Sequence, residues 1–387
     1  MPSSIHPVAG TQVYLAQSIN TIQFTDEFRI FKPNRAFHCR SQRDNFGPLN
    51  LSSIVHFIRA LEQEVADYPD AKIVLCIEEG RRELTNAVYL LGAYLILKFH
   101  ICPTEVMARF AWLDSDQLAP YRDASFLEPD FCLSITDCFR ALARGKALAW
   151  VRYAARGYMW GAVDIDEYRH YDQPANGDVH ELVPGELVAL PSPVDLDGAD
   201  FRDGPDGVRA FSPAYAAETL RDLGVTTLVR LNAALYNAAP LTARGIRVVD
   251  LPCPDAGRPP DAAVAAFVRE MDAADGPVAV HCATGRAQTG TLAALHLMRS
   301  HGFTARAAMG WLRIVRPGSV IGEQQRFLSD VGAALGRLRG RPRGGRNLQA
   351  AGGGDSDSQW PAAPPRALGL KPVPEGEEAV PEGEEAT

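Results

Sequence analysis

Residues 278–291 read VAVHCATGRAQTGT. The run 278–280 is apolar at consecutive positions, as in a strand buried on both faces. A tight loop with one glycine, Gly285, follows, and a helical pattern begins near Thr289 and continues through TLAALHLMRSHG (291–302). Cys282 therefore stands at the carboxyl end of a strand, where α/β sheets hold their sites. The neighbouring sequence repeats the alternation. ELVALP (186–191), TTLVRLN (226–232) and IRVVDLP (246–252) have strand character, and AYAAETLRDLG (214–224), DAAVAAFVREMDAA (261–274) and ARAAMGWLRIVRP (305–317) have helical character. Residues 13–160 alternate too, with strand-like QVYLA and KIVLCI and helical NLSSIVHFIRALEQEVADY and ELTNAVYLLGAYLILKF. Such alternation predicts an α/β fold with helices packed on a sheet in each half. The polar stretch DIDEYRHYDQPANGD (164–178) reads as the linker between the halves.

A chain of 387 residues suits two domains. Its net charge of −8 argues against a nucleic-acid binder. The seven cysteines are dispersed, with no CxxC pair and no Cys/His spacing that suggests a metal, which fits a reducing compartment. The start, MPSSIHPVAGTQ, lacks a basic segment followed by an apolar run, so no signal peptide is expected. The most apolar window, VYLLGAYLIL (88–97), has ten residues, which suits a buried helix and not a membrane span. An intracellular chain without membrane segments is expected. Beyond residue 336 the composition changes to an arginine cluster (337–346), AAGGGDSDS, and VPEGEEA twice, too polar to offset chain entropy, so a disordered tail is expected. The cluster suits nuclear import or phosphate contact, and equally a solvated linker.

A cysteine before a glycine-containing loop and a helix start is a phosphate cradle. Backbone N–H groups converge on the anion, and the helix dipole adds positive potential. The same field lowers the thiol pKa and makes a thiolate nucleophile. Gly285 relieves the turn, Thr289 offers a hydroxyl hydrogen bond to the thiolate, and His281 fixes the loop from behind. A leaving oxygen needs a proton from a neighbouring loop, and Asp255 in DLPCPDAGRPP is placed for that. By motif alone Asp255 is equally a surface turn residue.

With these residues in hand, HCATGRAQTGT resembles the HCxxGxxRTGT loop of cysteine-dependent protein phosphatases. TTLVRLNAALYN, DLPCPDAGRPP and RIVRPGSVIGEQQRFL, with NFGPLNL (45–51), LLGAYLIL (90–97), YRDASF (121–126), DIDEY (164–168) and NGD (176–178), are similar to the mitotic-exit dual-specificity phosphatases, the cell-division-cycle fourteen family. The resemblance covers roughly residues 10–335. It implies two tandem phosphatase-like domains: a degenerate one at 1–160, a linker helix within 161–178, a catalytic one at 179–336, and a tail at 337–387. It implies hydrolysis of phosphoserine, phosphothreonine and phosphotyrosine in proteins through a cysteinyl-phosphate intermediate, with a preference for phosphoserine before proline and a basic residue beyond. Cys282 would be the nucleophile, Asp255 the general acid, and Gln324 and Gln325 the residues that position water. Ala283, Thr284, Gly285, Arg286, Ala287, Gln288 and Thr289 would hold the phosphate, and Asp172 and Arg169 would line the substrate groove. No cofactor or metal is implied, and the nucleus or cytoplasm is the implied location.

Three departures stand out. The family's arginine, six after the cysteine, is Gln288 here, one neutral amide in place of a guanidinium fork. Arg286, two residues earlier, faces solvent or swings over the pocket to supply part of the charge. In the linker Arg169 replaces a glutamate while Asp172 keeps an acid, which weakens or changes attraction for a basic substrate residue. Ala256 replaces a glycine beside Asp255. CIEEGRR also fits a Cys-x5-Arg pattern with Cys76 and Arg82, but Glu78 and Glu79 inside that loop would repel a phosphate dianion, so no second active site is expected. A slow or retuned phosphatase is favoured by the retention of Cys282, Asp255, Gly285, Thr289 and the pair Gln324 and Gln325. A pseudophosphatase that binds phosphopeptides without turnover is favoured by Gln288. A sulfurtransferase also uses a cysteine loop but explains neither Asp255 nor the glutamine pair.

Overall fold

In the computed structural model of the chain the described residues are 5–10, 12–17, 27–32, 46–124, 130–153, 159–204, 208–254 and 257–339. They belong to one compact unit. Asp255, Ala256 and everything from residue 340 onward, including most of the arginine cluster, lie outside them.

The N-terminal half carries a four-stranded sheet in the order His6–Ala9, Val13–Gln17, Lys72–Ile77, Phe28–Phe31. Its first pair is antiparallel and the others are parallel. Helix Leu51–Asp67 starts where Asn50 Oδ1 accepts the Ser53 N–H at 2.9 Å, and it buries Leu51, Ile54, Val55, Ile58 and Leu61, one face at helical spacing. Helix Arg81–Phe99 is buried almost without interruption from Leu84 to Leu97, which explains why its sequence is apolar all round. Among the described residues no helix is long and apolar enough to cross a membrane.

The C-terminal half carries a five-stranded sheet in the order Arg247–Asp250, Thr227–Arg230, Val278–His281, Leu187–Ala189, His180–Val183. The first four run parallel and the last is antiparallel. Its three central strands are buried at every position, so their sequences run apolar instead of alternating. Val278–His281 lies in the middle and feeds helix Ala287–Ser300.

One apolar core runs through both halves. Helix Ala305–Val315 packs on helix Ile135–Ala147 through two glycines: a Cβ on Gly145 would sit 2.4 Å from the Trp311 ring, and one on Gly310 would lie 3.1 Å from the Asp137 carbonyl oxygen. Trp311 is fully buried and its indole N–H donates to Leu182 O at 2.9 Å. Arg306 pairs with Asp137, which also closes the capping box of helix Ile135–Ala147. The linker is a packed element, not a spacer. Helix Ile165–Tyr171, capped by Asp164, turns Ile165 and Tyr168 inward, and the Tyr168 hydroxyl donates to Val315 O at 2.8 Å. Polar residues between those two positions gave the stretch its linker-like composition.

Candidate active site

Cys282 follows the central strand directly and is buried. Burial pushes its thiol up, but the Thr289 hydroxyl and the backbone N–H groups of Thr289, Arg286 and Gly285 outweigh this and hold the thiol below its ordinary value. Thr289 Oγ1 is buried and has no other hydrogen-bond partner. Helix Ala287–Ser300 has no side-chain cap at its start, so its first N–H groups remain for an anion. Ala283 and Thr284 lie exposed on the rim, while Gly285, with φ of +65°, lies buried beneath it. The Ala283 carbonyl accepts the Ser192 N–H at 3.2 Å, tying the rim to the segment after strand Leu187–Ala189.

The rear of the loop rests on a residue that sequence reasoning missed. Arg316, fully buried, donates from Nε to Gly285 O at 2.7 Å and from Nη2 to Thr284 O at 3.1 Å. Holding those carbonyls outward turns the loop's N–H groups inward. Burial lowers the Arg316 pKa to about 10 against the opposing pull of Asp178, so it remains a cation at neutral pH. Its Nη2 pairs with Asp178 Oδ2 at 2.9 Å, and its Nη1 lies 2.7 Å from His180 Nδ1. Arginine only donates, so His180 accepts on Nδ1 and carries its proton on Nε2, which lies 3.0 Å from Asp172 Oδ1.

That chain engages two of the expected site residues. Asp172 Oδ1 accepts the His180 Nε2–H and its Oδ2 accepts Asn50 Nδ2 at 2.9 Å, so both oxygens are engaged and Asp172 connects through His180 and Arg316 to the cradle. Arg286 neither faces solvent freely nor reaches over the pocket. Its guanidinium binds both Asp178 oxygens, at 2.9 and 3.2 Å, and donates to Pro317 O and Thr284 O. Arg169 is exposed on its helix, 3.7 Å from Asp166.

Gln288 is 1% exposed, and its Nε2 donates to Pro254 O at 2.6 Å and Gly257 O at 3.1 Å. These carbonyls stand on either side of positions 255 and 256, so the Gln288 amide ties Pro254 and Gly257 to the first turn of the cradle helix. Its Oε1 is buried without a partner. Gln324 joins the clamp, donating to Gly257 O at 3.2 Å while its Oε1 accepts the Ile321 N–H. Gln325 is committed elsewhere: its Nε2 donates to Asp123 and Gly322 O, and its Oε1 accepts from Arg313 Nη2 at 2.7 Å. Gln324 is thus the member of the pair that touches the acid loop. Cys76 lies inside strand Lys72–Ile77, not at its end, and burial pushes its thiol up to about 11, the opposite of an activated nucleophile.

His281 supports the loop from behind the sheet. Its Nδ1 lies 3.3 Å from Cys282 O, which can only accept, so the proton sits on Nδ1 and Nε2 accepts the Tyr236 hydroxyl at 2.8 Å. Burial lowers its pKa to about 4 from 6.5. The unfolded chain therefore takes up a proton that the folded chain refuses. Stability from this group is complete above pH 6.5 and is lost as pH falls through about 4, by roughly 3 kcal/mol. Urea unfolding of the whole chain between those pH values is expected to show this slope, and His281→Asn to flatten it. An unchanged slope in the variant would assign the acid sensitivity to another group.

Residues 8–145 match the model for the N-terminal half of dual specificity protein phosphatases, and residues 213–329 match the Swiss Army Knife DSP-PTPase phosphatase domain. The chain is 30% identical over 287 residues to dual specificity protein phosphatase CDC14C of Symphalangus syndactylus, covering 74% of this chain and 57% of that protein. It is 32% identical over 295 residues to CDC14A of Homo sapiens, covering 75% and 47%. It is 29% identical over 329 residues to tyrosine-protein phosphatase CDC14 of Saccharomyces cerevisiae, covering 82% and 57%. The chain thus spans about half the length of the curated relatives it matches. Matched by two phosphatase models in series and by these relatives along three quarters of its length, the chain belongs to the CDC14 family of dual specificity protein phosphatases.

Proposed function

We propose that this chain hydrolyses phosphoserine, phosphothreonine and phosphotyrosine in proteins, at a rate reduced by the glutamine at 288. The observation that carries this is the Cys282 sulfur, buried at the end of the central strand where three backbone N–H groups and the Thr289 hydroxyl converge on it and hold its thiol below the ordinary value. In this reaction Sγ attacks phosphorus and the ester P–O bond breaks. Asp255 gives its proton to the leaving oxygen. Water held near Gln324 then attacks the cysteinyl phosphate, Asp255 takes the proton, and the S–P bond breaks to release inorganic phosphate and the thiolate. The cradle's amides and helix start carry the charge on the phosphoryl oxygens.

The preference for phosphoserine before proline follows from the family resemblance. A preference for a basic residue beyond it is weakened here, because Asp172 is taken up internally and Arg169 stands exposed. Division into a degenerate domain (1–160), a linker helix (161–178), a catalytic domain (179–336) and a tail belongs to the same proposal, supported by two separate sheets.

One observation favours a binding module instead. Gln288 is tied to loop carbonyls and Arg286 to Asp178, so neither side chain is placed to follow the charge that develops on the phosphoryl group. Rapid acid quenching of the whole chain with a labelled aryl phosphate separates the two. Label on Cys282 that is lost on standing supports hydrolysis. Phosphopeptide binding with no label on Cys282 overturns it and establishes the binding module.

A further inference from the structure

A second cluster of reactive side chains lies at the far end of the cradle helix. His296 is buried on helix Ala287–Ser300, and His301 is the C-cap of that helix. Glu186 occupies the turn between strands His180–Val183 and Leu187–Ala189. Both imidazole Nε2 atoms lie 3.1 Å from the same oxygen, Glu186 Oε2, and the three ligand atoms are all within 4.8 Å of one another. Four-coordinate zinc with bonds of about 2.0–2.1 Å sets its ligand atoms about 3.3 Å apart, which the two histidine–glutamate separations of 3.1 Å nearly match, and the two imidazole nitrogens lie within 4.8 Å of each other. Burial pushes the Glu186 carboxyl up and the two histidines more than reverse it, which leaves an anion between the rings. Two imidazoles and one carboxylate suit zinc in softness and number, with a fourth position on the half-exposed side of Glu186 for water.

The surroundings are built to hold the cluster. Arg144 Nε donates to His301 O at 2.8 Å, and the Trp150 ring meets His301 edge-on at 5.1 Å. The backbone carbonyl of Glu186 accepts the Val278 N–H at 2.9 Å, at the entry of the strand that leads into Cys282. An ion here would join the base of that strand to the end of the helix that follows the cradle, about 20 Å along the helix from its first turn.

We propose that Glu186, His296 and His301 form a zinc site that clamps the strand, loop and helix of the cradle at the end opposite the nucleophile. It holds whether or not Cys282 turns over phosphate. Metal and proton compete for the same nitrogens, so affinity falls as pH is lowered.

The test uses the full chain in the Cys282→Ser background, which removes the activated thiolate as a rival ligand. Calorimetric titration with zinc at neutral pH is expected to give one equivalent and a raised unfolding temperature. Cobalt in its place should show visible bands of a four-coordinate ion without the near-ultraviolet thiolate band. His296→Gln with His301→Gln should weaken zinc by more than the roughly 10–100-fold that follows loss of an outer-shell partner. Glu186→Gln keeps the side-chain shape and serves if the histidine pair fails to fold. Absence of binding, binding with a thiolate band, or undiminished affinity in whichever variant folds overturns the proposal and leaves a histidine–glutamate ion pair.

Discussion

Gln288→Arg is expected to raise turnover of a small aryl phosphate on the order of a hundredfold or more. The position lies in the first turn of the cradle helix, 1% exposed. A guanidinium there would hold two phosphoryl oxygens in a fixed fork and follow the charge that builds as the ester bond breaks. The change also removes a defect. Gln288 Oε1 is a buried acceptor without a partner, which costs about 1–3 kcal/mol, and arginine has no acceptor to orphan. Against this, the clamp on Pro254 O and Gly257 O is disturbed, although a guanidinium has donors to spare for one of them. A rise in kcat with little change in KM identifies stabilisation of the transition state, and a fall in KM alone identifies ground-state binding. Cys282→Ser in either background should return the rate to that of buffer. An unchanged kcat in Gln288→Arg would locate the deficit somewhere other than position 288.

Gly285→Ala is expected to cost more than about a hundredfold in turnover and in affinity for inorganic phosphate. A Cβ at this residue would lie 2.1 Å from Leu190 O and 2.9 Å from Arg316 Nη2. Leu190 is buried directly after strand Leu187–Ala189, and the clash is with its backbone rather than with a flexible side chain. The left-handed backbone adds about 1–2 kcal/mol for any residue with a side chain. Gly285 also has both of its peptide groups in use: its N–H faces the Cys282 sulfur and its carbonyl is held by Arg316. Turning the peptide to escape Leu190 takes the N–H off the thiolate, so the Cys282 pKa should rise with the loss of phosphate. Iodoacetate alkylation of Cys282 across pH, with and without phosphate, reads both effects. Unchanged phosphate protection in a folded Gly285→Ala chain would show that the cradle tolerates the turn.

Much of the site was legible because its signals are local. Consecutive apolar residues, a cysteine, one glycine and a helix start sit within 278–291, and the buried central strand and the positive φ at Gly285 follow from them. The rejection of Cys76 was legible too, from two carboxylates in its loop. What stayed hidden depends on partners far along the chain. Arg316 reads as one more arginine until Asp178 and two loop carbonyls surround it. Asp172 reads as a surface acid until His180 and Asn50 claim both oxygens. Gln288 reads as a lost charge, and only the fold shows that its amide spans the base of the acid loop. The histidine–glutamate cluster followed no familiar metal spacing, since Glu186 lies 110 residues before His296.

The packing of Trp311 over Gly145 has a consequence for the ancestry of the chain. Each half supplies the wall that the other half's apolar side chains lean on, so the pair should melt in a single calorimetric transition. Cys76 is sealed within its strand, so side-chain chemistry there is closed to substitution from outside. Mutation is not free to erase that half's volume. A chain shortened to its second sheet would expose Trp311, Phe303 and Met309 to water. The loop after the central strand of the second half thus depends on the first half for the shape of its core.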